Sequence, residues 1–155
     1  MHSHKPTEYK CPFCRVSGGI EDEFVITRQS DIVFQNDKVT AFVASHWWPN
    51  NPGHVLIIPN EHFENLYSLP DYVSNEIHRL EKIIALAFKE CYKSDGTSSR
   101  QHNEPSGGQD VWHYHLHVFP RYKNDDLYKL DRISTKSSER TPYAEKIRKY
   151  LLDKI

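Results

Sequence analysis

The segment His113-Tyr114-His115-Leu116-His117 sets three imidazoles at alternate positions. Along a strand successive side chains point to opposite faces, so residues two apart project the same way, about 6.5–7 Å from each other. On that geometry His113, His115 and His117 share one face, while Trp112, Tyr114, Leu116 and Val118 line an apolar face that must be buried. Three origins fit the pattern. Chance could leave the histidines facing polar surroundings, although strict alternation argues against it. Imidazoles on a strand could instead hold a catalytic metal. In the third case one imidazole is a nucleophile and the others bind anionic oxygen and steer protons.

The preceding residues favour the third. Asn103-Glu104-Pro105-Ser106-Gly107-Gly108-Gln109 offers two glycines, whose backbone can approach an anion closely, with Asn103 and Gln109 as side-chain donors. Beside three aligned imidazoles, such a loop suggests a phosphate held over them. An imidazole serves as a nucleophile near neutrality because its reference pKa is about 6.5.

A second cluster of reactive side chains begins at Cys11-Pro12-Phe13-Cys14. Taken alone, this spacing is half a zinc site or a redox dithiol. A redox pair wants its first cysteine at a helix N-terminus, which Gly18-Gly19 argues against; a tetrahedral zinc site needs two more ligands. Cys91, on the long helix, reads as an ordinary buried residue. His2, His4, His78 and His102 read as surface residues.

The positioning elements follow from periodicity and turn chemistry. Residues 32–36 and 39–44 read as a hairpin turning at Asn36-Asp37, and 54–58 as a buried strand stopped by Pro59. Trp47 to Gly53 is dense in turn residues; Trp47 and Trp48 could stack on a base, but aromatics beside a strand are more often core or dimer contact. Val73, Ile77, Leu80, Ile84, Ala87 and Phe88 repeat at helical spacing from Pro70-Asp71 to about Tyr92. Ser94 to Ser99 reads as a loop. A strand is expected from about Asp110 to Phe119, and Thr141-Pro142 is expected to cap a last helix, about 142–153. The order predicts an α+β fold: an antiparallel sheet of about five strands with one long central helix and a C-terminal helix.

A chain of 155 residues suits a single domain, expected over 1–155 with a cysteine knuckle at about 11–19. A net charge of −1 provides no field to gather nucleic acid or an anionic membrane. The polar start lacks an apolar signal core, and no apolar run reaches the roughly 18 residues that span a bilayer, so a cytoplasmic location is expected.

The segment from Asn103 to Phe119, together with Pro52-Gly53-His54-Val55-Leu56-Ile57-Ile58-Pro59, His62 and the Phe119-Pro120-Arg121 exit, resembles the histidine-triad (HIT) family of nucleotide hydrolases and transferases. The resemblance covers roughly residues 11 to 122. It implies an antiparallel α+β domain, commonly paired in a homodimer. It also implies cleavage of a nucleoside monophosphate from a phosphoramidate or dinucleoside polyphosphate through a nucleotidyl-histidine intermediate. By motif position His115 is the nucleophile, and His117 contacts the phosphate and assists departure. The His113 carbonyl holds the His115 Nδ1 proton, and His54 lies beside the triad. Asn103, Gly108 and Gln109 contact the phosphate. Related transferases carry glutamine at the third-histidine position, so His117 implies water as acceptor. The zinc-bearing branch of the family implies a structural Zn2+ on Cys11, Cys14, His62 and His113.

Two positions depart from the family pattern. The acidic or amide residue that holds the ribose hydroxyls falls on Ala44 or His46, neither a bidentate acceptor. The Ser or Thr that often follows the glutamine is Asp110 here, an anion near an anionic substrate unless it points away. A non-catalytic nucleotide-binding or adaptor domain, and a metal-dependent hydrolase using all three histidines, are the competing functions.

Overall fold

Hydrophobic runs in the chain become the centre of a sheet. In the computed structural model, which describes residues 2–155, five strands form one antiparallel sheet in the order β1-β2-β4-β6-β5. They are β1 (Ile32–Gln35), β2 (Val39–Val43), β4 (Val55–Pro59), β5 (Gly96–Gln101) and β6 (Leu116–Arg121). Every residue of β2 and β4 is buried, because both faces of these central strands are covered. A short ribbon pairs β3 (His46–Trp47) with β7 (Ile133–Ser134).

One face packs on helix α2 (Asp71–Ala87), which presents Val73, Ile77, Leu80 and Ile84 to Ala41, Val43, Val55 and Ile57. Pro70 starts this helix in an extended conformation, and Asp71 lies in its first turn, where a carboxylate suits the helix dipole. The last turn, Phe88–Tyr92, is π-helical and ends at Lys93 with φ +56°. Helix α3 (Ser137–Leu152) adds Ala144, Ile147 and Leu151 to the same core. The other face lies under the short helix α1 (Pro12–Ser17), whose Phe13 and Val16 meet Phe42, Ala44, Leu56 and Ile58. No helix among the described residues is long and apolar enough to cross a membrane.

The fold corrects several expectations. Residues 94–99 are not a loop: Gly96–Gln101 form the edge strand β5, a polar strand without the apolar alternation that would reveal it. The histidine strand is regular only from Leu116, so Trp112 is half-buried rather than part of the apolar face. Helix α3 starts at Ser137, with Pro142 inside it; Glu139 accepts the Lys136 N–H at 2.7 Å, fixing the earlier start. Cys11 does sit at a helix N-terminus, since α1 fits between it and Gly18. Cys91 is half-buried, its thiol near the Lys146 carbonyl.

Two internal ties hold the site's frame. The Arg140 guanidinium, 1% exposed, meets the fully buried Asp31 carboxylate at 2.8 Å, binding α3 to the turn before β1. Asn51 donates to the Pro120 carbonyl at 2.9 Å and to Asp125 at 2.7 Å, locking the loop before His54 onto β6. Arg121, beside Asp125, is the main cause that holds this carboxyl far below its usual range. In that loop Gly53 has φ +76°, and a Cβ there would lie 2.5 Å from Tyr143 Cδ1. Gly53→Ala is therefore expected to cost about 2–3 kcal/mol in denaturant unfolding, from a left-handed backbone plus a ring clash. Gly19→Ala is the control: its φ is also positive, at +73°, but the space is open, so only the backbone penalty of about 1 kcal/mol should remain.

Candidate active site and metal centre

Alternation along β6 sends Leu116 and Val118 into the helix-covered core and His117 and Phe119 to the opposite side of the sheet. His115, just before the strand, lies on that side against Phe13, with ring centroids 5.2 Å apart. Its Nδ1 is 2.8 Å from the His113 carbonyl. A carbonyl can only accept, so Nδ1 carries the proton and Nε2 keeps a lone pair. His115 is 3% exposed and lines a cavity of about 290 Å³. Burial lowers its pKa, opposed by the hydrogen bond to His113 and the charge of Asp110.

His117 lies 5.0 Å from His115 by ring centroid, and its Nδ1 is 3.5 Å from His54 Nε2. Burial, together with the neighbouring imidazoles, holds His117 well below the ordinary value. His54 is pushed down to about 3, chiefly by burial and then by Arg100 and Arg132. Both are neutral near pH 7. If His54 donates from Nε2 to His117 Nδ1, the remaining proton of His117 sits on Nε2, available to an anion. His54 Nδ1 has no partner among the described residues.

The cavity runs over β2, β4 and β6. Phe13, Val16, Phe42 and Leu56 give it apolar walls, and Ala44, His46, Trp48 and Asp110 line it too. Trp48 is thus a wall residue, while Trp47 packs against Tyr143 at 5.1 Å. Ala44 and His46 both face the cavity, and neither supplies a carboxylate or amide there. Asp110 does not point away: one carboxylate oxygen is 3.8 Å from His115 Nε2, and the other is 3.3 Å from Arg132.

The glycine loop is arranged differently from expectation. Gln109 spends its whole side chain on the backbone. Its amide donates to the Glu64 carbonyl at 2.6 Å and the Val111 carbonyl at 2.9 Å, and its oxygen accepts the Glu104 N–H at 2.9 Å. A buried amide so engaged positions the loop rather than contacting a ligand. Asn103 pairs reciprocally with Gln101 and accepts the Leu66 N–H at 2.9 Å. The Gly108 N–H goes to the Pro105 carbonyl, and its φ of +84° lets the chain turn against His102. His102 is therefore not a free surface residue: its Nδ1 is 2.5 Å from the Gly107 carbonyl, and its ring is 6.3 Å from that of His117. Nothing in its spacing announced this, since it precedes the motif.

His113 has a separate setting. Its Nδ1 is 3.3 Å from Cys11 Sγ and 3.5 Å from Cys14 Sγ, and Cys14 Sγ is 3.3 Å from His62 Nδ1. All four ligand atoms lie within 4.8 Å of one another. Tetrahedral zinc with S and N ligands would set S and N about 3.5 Å apart, so the cluster fits a metal closely. The other nitrogen of His113 is 2.9 Å from the Pro59 carbonyl, which fixes Nδ1 as the ligating atom. Loop 62, α1 and the approach to β6 meet at this centre. The three motif histidines therefore do not converge on one metal: His113 faces the cysteines, while His115 and His117 face the cavity.

Sequence and structure comparisons agree with this architecture. A family model described as "HIT domain" matches residues 26–124. An uncharacterised HIT-like protein of Saccharolobus solfataricus is 29% identical over 94% of this chain and 97% of its own. A bis(5'-adenosyl)-triphosphatase of Saccharomyces cerevisiae is 34% identical over 68% of this chain and 50% of its own length. Among solved structures, a zinc-bound histidine triad family protein of Mycobacterium smegmatis superposes with a TM-score of 0.76 at 22% identity, covering 93% of this chain and 94% of that one.

Proposed function

The chain belongs to the HIT domain family, and on that footing we propose that it is a nucleotide hydrolase acting through a covalent nucleotidyl-His115 intermediate. One observation carries the reading: the His113 carbonyl 2.8 Å from His115 Nδ1 leaves an unprotonated Nε2 facing a cavity of nucleoside size. In the first step the Nε2 lone pair attacks the α-phosphorus of a nucleoside phosphoramidate or dinucleoside polyphosphate. The bond from phosphorus to the leaving nitrogen or oxygen breaks with its electron pair; neutral His117 steadies the leaving atom by a hydrogen bond donated from Nε2, and a leaving amine takes its proton from solvent. In the second step water attacks the same phosphorus and releases its proton to solvent, while His117 Nε2–H donates to a phosphate oxygen. The phosphorus–nitrogen bond breaks, and the electron pair returns to Nε2. Fixing His115 on a packed segment keeps the attack geometry without reorganisation.

Gln109, Asn103 and Gly108 support this chemistry by shaping the loop beside the phosphate. Cys11, Cys14, His62 and His113 are proposed to hold a structural Zn2+, which when bound would tie the N-terminal segment to the catalytic one. The relatedness to a bis(5'-adenosyl)-triphosphatase supports nucleotide hydrolysis as the general class. A binding-only domain keeps one specific support, the Asp110 carboxylate standing 3.8 Å from the attacking nitrogen. Turnover of either substrate class decides between the two.

The pH dependence tests the state of the nucleophile. Because burial lowers the His115 pKa, the unprotonated form persists to more acid pH than for an ordinary imidazole. The acid limb of kcat/KM is expected to lie below the reference value for histidine. Asp110→Asn removes a charge that raises this pKa, so its limb should move further to acid. A limb above the reference value, or an opposite displacement in the variant, contradicts the assignment.

A further inference from the structure

The proposed chemistry leaves Arg100 unused, yet its setting is unusual for a cation. On β5 it pairs directly with His117 of β6, so both side chains project from the same side of the sheet. Its guanidinium carbon lies 4.7 Å from the Trp48 ring centre and 4.6 Å from that of Tyr128. None of the ion pairs among the described residues involves it. Its Nε is buried without a partner. By contrast Arg121 closes on Asp125, Arg140 on Asp31, and Arg132 on Asp110. Stacking on aromatic rings orients the planar group; the Tyr128 side chain is its one hydrogen-bonding neighbour among the described residues, which leaves most of its N–H fork open to an oxyanion.

Position along the sheet says which oxyanion. The cavity covers β2, β4 and the β4 side of β6, and Leu56, which faces it, is the β4 partner of His117. Arg100 is the β5 partner, on the opposite flank of the same histidine. A nucleotide seated in the cavity with its α-phosphate at His115 and His117 extends its leaving group across His117 toward Arg100. We propose that Arg100 is a specificity-determining residue that binds a phosphate of the leaving group, so that the site favours nucleotides bearing a β-phosphate over those whose leaving group is an amine. This rests on the proposed placement of the nucleotide. Burial lowers the Arg100 pKa, in keeping with a cation that lacks a counter-charge.

The test compares ADP with AMP by calorimetry, and diadenosine triphosphate with adenosine 5'-phosphoramidate by turnover, in wild type, Arg100→Met and Arg100→Lys. Wild type is expected to bind ADP about tenfold or more tightly than AMP, and Arg100→Met to lose most of that ratio, since a charge-assisted bond is removed. The kcat/KM of the methionine variant should fall at least about tenfold further on the triphosphate than on the phosphoramidate, with partial recovery in Arg100→Lys. Absence of an ADP preference in wild type, or equal losses on both ligands as from slackened packing of Trp48 and Tyr128, overturns the proposal. If neither substrate is turned over, the hydrolase reading falls, while the ADP-to-AMP ratio still decides the role of Arg100.

Discussion

His115→Ala is expected to lower turnover by about 10⁴-fold or more, the scale on which loss of a covalent nucleophile is felt. No neighbour can replace it. His117 and His54 are coupled through a 3.5 Å contact that occupies one nitrogen of each, and His113 is turned to the cysteines. The substitution removes a buried ring beside Phe13, so melting of the variant should accompany the kinetics; a folded but inactive protein is the expected result. Wild type incubated with a substrate radiolabelled at the α-phosphate and quenched in alkali should carry label on the protein, and His115→Ala should carry none. Full activity in the variant, or labelling that survives it, would end covalent catalysis at this position.

Loss of the metal centre should be felt in the fold before the chemistry. Elemental analysis is expected to find one zinc per chain. Strong chelation, or Cys14→Ser, should lower stability by about 5 kcal/mol or more, since metal affinity in a site absent from the unfolded chain is folding free energy. For a chain of this length that corresponds to a fall in melting temperature of roughly 10–20 °C. The cluster joins three separate parts of the chain, at Cys11 and Cys14, at His62 and at His113, so its loss frees α1, whose Phe13 and Val16 form part of the cavity wall. Activity should disappear together with structure. Chelated protein that keeps its melting temperature but loses turnover would instead indicate a metal in the reaction, and one that keeps both would indicate no metal role.

Both results bear on Asp110. With one oxygen 3.8 Å from His115 Nε2 and the other on Arg132, this carboxylate stands where the proposed mechanism would seat a phosphoryl group. It is about half exposed, as is Arg132, on a segment without regular strand pairing, and an incoming phosphoryl group is expected to displace it toward solvent. The Asp110→Asn measurements above therefore report on the nucleophile and on this displacement together.

Spacing marked His113, His115 and His117 as a group, because a period of two is a local property that needs no partner to be read; separating His115 and His117 from His113 took the family resemblance, and of the three only His117 lies within β6. Periodicity likewise marked α2, whose apolar residues recur at helical intervals, and a continuous apolar run marked β4 as a strand covered on both faces, whereas β2, interrupted by Thr40, was legible from the turn at Asn36-Asp37. The expected α+β sheet with a long helix and a C-terminal helix is the one observed, in keeping with its HIT relatives. What the sequence left hidden depends on long-range pairing. Strand β5 is polar and at an edge, so its identity comes from hydrogen bonds to β6 rather than from its own residues. Gln109 looked like a free donor until the fold brought the Glu64 carbonyl to within 2.6 Å of its amide. Arg100, Arg132 and His102 carry no motif, and each acquires its place only from neighbours distant in the chain. Periodicity is inherited from the backbone, whereas charge pairing, desolvation and ligand convergence are set by which surfaces meet, and that was decided by tertiary packing.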